Sequence, residues 1–550
     1  MKLNNLLNLS ILTQLTTGVS LTDSEDPLNI AISVTLGSKS HVKYLFEISK
    51  KLTSRGHKIT YLCSEQTLKF TNGYNITHKI VSNVNMDLLN DDIKPFTSTS
   101  KLSLGPASFK TSMVQIYTES FPLYEKYYRE EKPDLIICDF VSASCIESAA
   151  KNSIPLIIGY QPFSVAVRKP YLTMSHGLTP TTIENYSFWE RFQHGLIDPF
   201  KALYDFYDLF SNLNRVRKQF GIPEEFALTH FTNLGLGIVN NYVGFENPRS
   251  LPSNVFPIGP IFPETPSPLN SELDNFLNTH KKVLYIAFGS LIKFSPELST
   301  NLLQHFQKLL DNGWIDGIVW GGMKNTNLDE FPKSYSVNGI EYSTEKILDG
   351  THNSFNLLSW APQDSILNHR NVKLFMTHCG LDSIYESIQS GTPMLAIPHF
   401  GDQPRNAVLI KEHGIGDYIE WPIEGDDLIH KKMVNLLDPA NKRLQSKLNQ
   451  FQKISQFSSN RKLFAADLIE TYAYQAKTCR LTETPKMFEI PCEVKPFLSL
   501  DQQISTVKAN LIDVYAVGII ILLSVVVLIA FATGKLIYKT YKIFRKEKKD

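Results

Sequence analysis

Between Trp360 and Gln403 the chain carries side chains whose types and spacing suit a sugar joined to a nucleotide. Trp360 can stack on a flat base. His378 and Ser383 flank Gly380, where phosphate oxygens would meet the start of a helix, and Glu386 can accept a bidentate hydrogen bond from a ribose diol. Asp402 and Gln403 offer acceptors and a donor to sugar hydroxyls. Taken singly, each reads more simply as a core aromatic, a helix cap or a surface carboxylate. Taken together in this order, they point to one ligand. Far upstream stand His41 and Asp139, the types needed to take a proton and to steady the resulting imidazolium. Each of these also has a plainer reading, as a cap for the helix that follows it.

The elements that must position these residues are short apolar runs separated by glycine-marked turns. Val372–Thr377 reads as a strand, His378-Cys379-Gly380 as a turn, Leu381–Ser390 as a helix and Met394–Pro398 as a second strand. Such a unit sets backbone N–H groups and the positive helix end at the C-terminal edge of a sheet. The same pattern opens the chain. Leu28–Leu36 is a strand and Gly37–Ser40 a turn, with Ser40 as N-cap. His41 then starts a helix with Val42, Leu45, Ile48 and Leu52 on one face and Gly56 at its end. A further strand, Pro133–Cys138, delivers Asp139 to the same sheet edge; Asp134, earlier in that strand, is the lesser candidate. At a helix N-terminus His41 is expected to have a lowered pKa and to stay neutral near pH 7.

At these residues the chain resembles the UDP-glycosyltransferase family, which includes the UDP-glucuronosyltransferases and plant UDP-glucosyltransferases. The motifs are W-x-x-Q at Trp360 and Gln363, H-x-G-x-x-S-x-x-E from His378 to Glu386, and P-x-x-x-D-Q ending at Gln403. The resemblance implies an α/β protein of GT-B architecture, two facing Rossmann-like domains with a cleft between them. It implies Trp360 on uracil, Gln363 and Glu386 on ribose, and His378 and Ser383, with the helix that starts after Gly380, on the pyrophosphate. It places Asp402 and Gln403 on the transferred sugar, and makes Ser290, after the Gly289 turn, a phosphate-side candidate. It also favours His41 and Asp139 as a catalytic pair. Three positions depart from the pattern: Cys379 stands where glycine is usual, Asp382 where asparagine is usual, and Gly321 where vertebrate relatives often have arginine. A carboxylate at 382 is unfavourable beside a diphosphate unless it turns away.

A chain of 550 residues exceeds one hydrophobic core and suggests two domains with additions. A net charge of +1 and a 43% hydrophobic share exclude a disordered or nucleic-acid-binding class. The six cysteines form no C-x-x-C pair, and no Asp-x-Asp motif is present, so neither a zinc site nor a catalytic metal is expected. Cys479 and Cys492 could pair in an oxidising compartment; Cys63, Cys138, Cys145 and Cys379 are expected to be buried free thiols.

Residues 1–20 read as a signal peptide, 22–262 as the acceptor-binding domain, 263–275 as a proline-rich linker and 276–475 as the UDP-sugar-binding domain. A stalk at 476–513 leads to an uncharged stretch, 514–533, of bilayer-spanning length. The basic tail, 534–550, belongs in the cytosol by the positive-inside rule, and its ending Lys546-Glu-Lys548-Lys-Asp550 fits a retrieval signal for the endoplasmic reticulum. The expected topology is single-pass type I with a lumenal body, where Asn75-Ile-Thr77 and Asn185-Tyr-Ser187 would be glycosylation sites. The aromatics Tyr186, Phe188, Trp189, Phe192 and Phe200 are expected as core packing in a region that, in the family, helps form the acceptor pocket.

The resulting expectation is an inverting, metal-independent transferase. It would move a hexosyl group, glucose or glucuronate, from a UDP-sugar co-substrate to a hydroxyl of a small lipophilic acceptor, with no further cofactor. Arg405 is the nearby cation that a glucuronate carboxylate would want. Two other classes stay open: a UDP-sugar hydrolase or epimerase on the same architecture, and a non-catalytic membrane-anchored protein that binds nucleotide or lipid.

Overall fold

Two parallel sheets organise the computed structural model. It describes residues 26–35, 39–83, 107–163, 169–173, 178–226, 231–289, 292, 294–322, 331–422, 427–483 and 485–547. The sequence-predicted signal peptide, Ser290 and the end of the basic tail lie outside these residues.

The first sheet contains β1 (Asn29–Val34), β2 (Lys58–Ser64), β3 (Thr77–Ser82), β4 (Leu135–Asp139), β5 (Leu156–Tyr160), β6 (Leu236–Val239) and β7 (Val255–Pro257). Its order is β3-β2-β1-β4-β5-β6-β7, with every pairing parallel. The second contains β8 (Val283–Ala287), β9 (Gly317–Gly321), β12 (Phe355–Leu358), β13 (Val372–Thr377), β14 (Met394–Ala396) and β15 (Gly416–Tyr418), in the order β12-β9-β8-β13-β14-β15. A small antiparallel hairpin, β10 (Ser334–Val337) and β11 (Ile340–Ser343), stands apart. Central strands such as β1, β4, β8 and β13 are almost continuously apolar because helices cover both faces.

In each sheet the first strand lies beside the fourth, so successive connections leave in opposite directions from that point. The crevice beyond the strand ends at such a switch collects ligands in open α/β sheets. In the first lobe it lies between the ends of β1 and β4; in the second, between the ends of β8 and β13.

Helix α1 (Ser40–Ser54) follows β1 and buries Val42, Leu45, Ile48 and Leu52, the stripe that helical spacing requires. It starts one residue earlier than expected: Ser40 is already helical, and Lys39 holds the cap position without a side-chain bond. Gly56, at φ +90°, closes it. Helices α2 (Ala107–Glu131) and α3 (Ala143–Lys151) cover β4, and α4 (Asp198–Gln219) packs against α2 through Leu209 and Leu213. The aromatic region departs from expectation. Phe188, Trp189, Phe200 and Tyr204 face outward, Trp189 at 72% exposure, because only one side of this helical stretch meets α2.

The second lobe contributes α5 (Gln363–Asn368), α6 (Leu381–Ser390) and α7 (Gln403–His413). After them the chain returns to the first lobe. Helix α8 (Lys462–Cys479) lays Ala465, Ala466, Ile469 and Tyr472 into the core beneath α1, where the small alanines allow close approach. Lys462 pairs with buried Glu47 at 2.9 Å, and Glu470 takes both Arg55 and His57. Gly56-His57 is therefore a structural joint. The chain after α8 stays docked: Cys479 and Cys492 form a disulfide, and Val494 and Leu498 join the first core. Helix α9 (Ile512–Glu547) follows; its span Ile512–Lys542 contains an 18-residue window of mean hydropathy 3.0, and none of that window is buried.

Cys138 and Cys145 correct the reading of four free thiols. The turn from β4 into α3 brings residues seven apart to a Cα separation of 5.9 Å, and the two form a disulfide. Cys63 and Cys379 are buried and free.

Candidate active site

His41 stands at the N-terminal turn of α1, at the first switch point, and Asp139 is the last residue of β4 across the same crevice. His41 Nδ1 lies 3.0 Å from Asp139 Oδ2, leaving Nε2 turned away from the carboxylate. The carboxylate is fully buried, and its other oxygen accepts the Val141 backbone N–H at 3.1 Å. The two readings of Asp139, turn cap and histidine partner, are thus divided between its two oxygens. Phe140 stacks beside the imidazole at 6.0 Å. Burial opposes a charge on His41, but the charge and hydrogen bond of Asp139, with smaller help from Asp402 and Asp382, hold its pKa above the ordinary 6.5. This reverses the expectation of a lowered value: a carboxylate in contact outweighs a helix end worth a fraction of a unit charge. Asp134 is not part of this group. It lies before β4 begins and accepts the Asn29 N–H at 2.7 Å.

Beyond Asp139 lies a shallow indentation of only about 10 Å³, lined by Met113, Ile116 and Tyr117 from α2, Val141 to Ser144, and Leu213 from α4. Its walls are mainly apolar, but it has room for little more than one water.

At the second switch point the turn His378-Cys379-Gly380 leads into α6. His378 is packed between two glycines. A Cβ on Gly380 would stand 2.7 Å from its Nε2, and one on Gly289 would stand 3.0 Å away. Burial pushes the His378 pKa down to about 4, with only a backbone contact to Ala287 opposing it, so the ring is neutral. Cys379, at φ +57°, occupies the left-handed region where glycine is the natural choice. Its buried thiol donates to the Gln403 carbonyl at 3.1 Å, and Asn406 Nδ2 donates to the Cys379 carbonyl at 3.0 Å. These two bonds tie the turn to the first turn of α7, which Asp402 precedes.

Gln363, Ser383 and Glu386 form one connected group. Gln363 Nε2 donates to Ser383 Oγ at 3.1 Å and to Glu386 Oε2 at 2.7 Å, while its carbonyl accepts the Tyr285 hydroxyl at 3.2 Å. Lys43, from α1 in the other lobe, donates to Glu386 Oε1 at 2.7 Å. Sequence reasoning missed Lys43 and Tyr285, because nothing in linear spacing brings residue 43 to residue 386. Trp360 sits at the rim with 66% of its surface exposed, free to cover a planar ring. Asp382 is enclosed and its pKa is pushed up to about 6, burial outweighing the nearby Lys43.

Asp402 accepts Asn406 Nδ2 at 2.7 Å, and its pKa is raised by burial. The Gln403 side-chain carbonyl holds the backbone N–H groups of His399 and Phe400 at 2.8 and 3.1 Å. Arg405 points elsewhere: it donates to Thr173 Oγ1, the Thr181 carbonyl and Asn247 Oδ1 at 2.6–2.7 Å, linking α7 to the first lobe. At Gly321 a Cβ would lie 2.7 Å from that of Ala361, so the place of the relatives' arginine is closed.

Comparison with known proteins gives the family and the fold. The family described as "UDP-glucoronosyl and UDP-glucosyl transferase" matches residues 223–428. A UDP-glycosyltransferase of Talaromyces amestolkiae is 28% identical over 511 residues, 88% of this chain and 93% of that protein. UDP-glycosyltransferase 1 of Phaeomoniella chlamydospora is 31% identical over 387 residues, 69% of this chain and 75% of that protein. A solved UDP-glucosyltransferase from Polygonum tinctorium, capable of glucosylating indoxyl, shares the fold at TM-score 0.55 and 19% identity, over 81% of this chain and 99% of its own.

Proposed function

Because the chain belongs to the UDP-glucuronosyl and UDP-glucosyl transferase family, and so is a UDP-glycosyltransferase, we propose that it transfers a neutral hexose, glucose before glucuronate, to a hydroxyl of a small lipophilic acceptor with inversion. The observation that carries this reading is the pairing of His41 with Asp139 at 3.0 Å, within the electrostatic reach of Asp402 and Asp382 from the opposite lobe. His41 Nε2 takes the acceptor's proton as its oxygen forms a bond to the anomeric carbon. The bond from that carbon to the diphosphate oxygen breaks on the far face. Asp139 steadies the imidazolium so formed. The N-terminus of α6, neutral His378 and Ser383 meet the charge that develops on the leaving diphosphate, a role that requires no metal. Gln363 and Glu386 hold the ribose, Trp360 covers the uracil, and Asp402 and Gln403 take the sugar hydroxyls.

Arg405 favours a neutral sugar. Its donors are engaged across the lobes, so a glucuronate carboxylate would have to displace existing bonds. The apolar side chains of Met113, Ile116 and Leu213 gathered near Val141 support a lipophilic acceptor. The apolar window of α9, the basic tail and the two disulfides support a type I protein of the endoplasmic reticulum with its body in the oxidising lumen. The outward aromatics Phe188, Trp189 and Phe200 suit a nearby bilayer surface.

The test is UDP release from membranes carrying wild-type protein or His41→Ala, offered UDP-glucose, UDP-glucuronate or UDP-N-acetylglucosamine with phenols, sterols and lipids. Release that needs acceptor, prefers UDP-glucose and disappears in the variant is the expected result. Release without acceptor would instead mark a hydrolase, and preference for UDP-glucuronate would overturn the choice of sugar.

A further inference from the structure

Glu386 has both carboxylate oxygens engaged, one by Gln363 of its own lobe and one by Lys43 of the other. If this carboxylate receives the ribose diol, as proposed above, the hydroxyl that seeks Oε1 finds an ammonium already there. The donor must displace it. Lys43 cannot simply return to water, since it is 16% exposed and faces a carboxylate that is 9% exposed.

The charges around this point say where it goes. Glu386, Asp382 and Asp364 all act on Lys43, and they keep it protonated against the cost of burial. The positive groups acting on Asp382 are Lys43, His41 and Lys39, every one of them from the first lobe. A UDP-sugar brings two further negative charges to this acidic corner. Helix α6 offers them its N-terminus, but that same first turn carries Asp382. A helix end represents about half a positive charge and does not balance two phosphates beside a carboxylate. Side chains on a helix lean toward its N-terminus, which sets the Glu386 carboxylate over the first turn. Gln363, bonded at once to Ser383 and Glu386, marks the two as neighbours. An ammonium released from Glu386 on a flexible four-carbon arm is therefore beside the phosphate end of the same pocket.

We propose that Lys43 is a donor-binding residue supplied across the cleft, pairing with Glu386 while the pocket is empty and moving to the diphosphate when the ribose takes that carboxylate. The exchange gives the Glu386 carboxylate the ribose diol in place of the ammonium, and it adds a cation to the leaving group. It also ties donor binding to lobe closure, because the charge that meets the diphosphate is carried two residues from His41 on the same helix.

This inference rests on the donor-site reading, and nucleotide binding separates the two. The measurement is the dissociation constant of uridine and of UDP, by calorimetry on the full chain in nanodiscs, for wild type, Lys43→Met, Lys43→Arg and Glu386→Gln. Methionine keeps length and removes charge. In Lys43→Met, UDP is expected to weaken tenfold or more while uridine binds as well as to wild type or better, since its competitor for Glu386 is gone. Lys43→Arg should restore most of the UDP affinity, which a merely structural loss would not allow. Equal changes for uridine and UDP, tighter UDP binding, or no change would overturn the proposal. Glu386→Gln should weaken both nucleotides in wild-type background. If it does so while Lys43→Met leaves their ratio unchanged, the donor site stands and Lys43 falls; if wild type binds neither nucleotide, both fall.

Discussion

The two switch points share a strand order and place a histidine at each crevice, yet the histidines are driven in opposite directions. In the first lobe His41 comes from the β1 side and meets a buried carboxylate, Asp139, at the end of β4. In the second His378 comes from the β13 side and meets Gly289, which has no side chain to offer. The first ring is held above its ordinary pKa and the second is pushed down to about 4. One scaffold thus holds an imidazole toward its charged form in one lobe and keeps one neutral near pH 7 in the other. The difference lies in the residue across the crevice, not in the strand order.

The largest expected effect comes from removing the first ring. His41→Ala should lower kcat by roughly 10³-fold or more, as the loss of a general base does, while the dissociation constant of UDP changes little. A variant that lost UDP binding equally would place His41 in the donor pocket instead. Asp139→Asn comes next, with kcat reduced by roughly 10²–10⁴-fold. A base must be unprotonated, so wild-type activity should fall as pH drops through a value above 6.5. Without its carboxylate His41 loses the interaction that raises it, and the acidic limb should move to lower pH. A limb that stays in place would show that Asp139 does not set the His41 charge.

The second ring should be read in stability rather than rate. An unfolded His378 titrates at its ordinary 6.5, the folded one at about 4. Between these values the unfolded chain binds a proton that the folded chain does not, so stability rises with pH through that window. Acidification from 6.5 to 4 should cost about 3 kcal/mol at this site. His41 has the opposite sign: its contribution is present below 6.5 and fades as pH rises through its raised folded value. In melting curves from pH 7 to 4.5, wild type should lose more Tm than His378→Gln, which cannot take the proton. Parallel losses would mean that the second ring is solvated.

Much of this comparison was legible in the sequence. Glycine-marked strand-turn-helix units located both crevices, and short polar motifs assembled around the second with Gln363, Ser383 and Glu386 in mutual contact. What the sequence hid was contact between distant residues. The sign of the His41 shift depends on Asp139, 98 positions away, at a separation that only folding sets. Lys43 reaches Glu386 across the lobes, and α8 returns to the first core although it follows the second lobe in sequence. Cys138 and Cys145 pair because a strand ends and a helix begins between them, which spacing alone does not reveal.

The smallest effect tests the tightness of the second turn. Cys379 stands at φ +57°, a conformation that costs an L-residue roughly 1–2 kcal/mol and glycine almost nothing. Glycine there would lose the thiol's contact with the Gln403 carbonyl and gain freedom when unfolded, so Cys379→Gly should alter stability by less than about 1 kcal/mol. Alanine loses the same thiol but keeps the strain. At an ordinary position alanine is the more stable of the two by roughly 0.5–1 kcal/mol. Here the order should reverse, with Cys379→Gly more stable than Cys379→Ala by about 1 kcal/mol in paired melting experiments. If alanine proves equal or better, the turn is not left-handed in solution, and His378 is not clamped between its glycines as tightly as the second switch point requires.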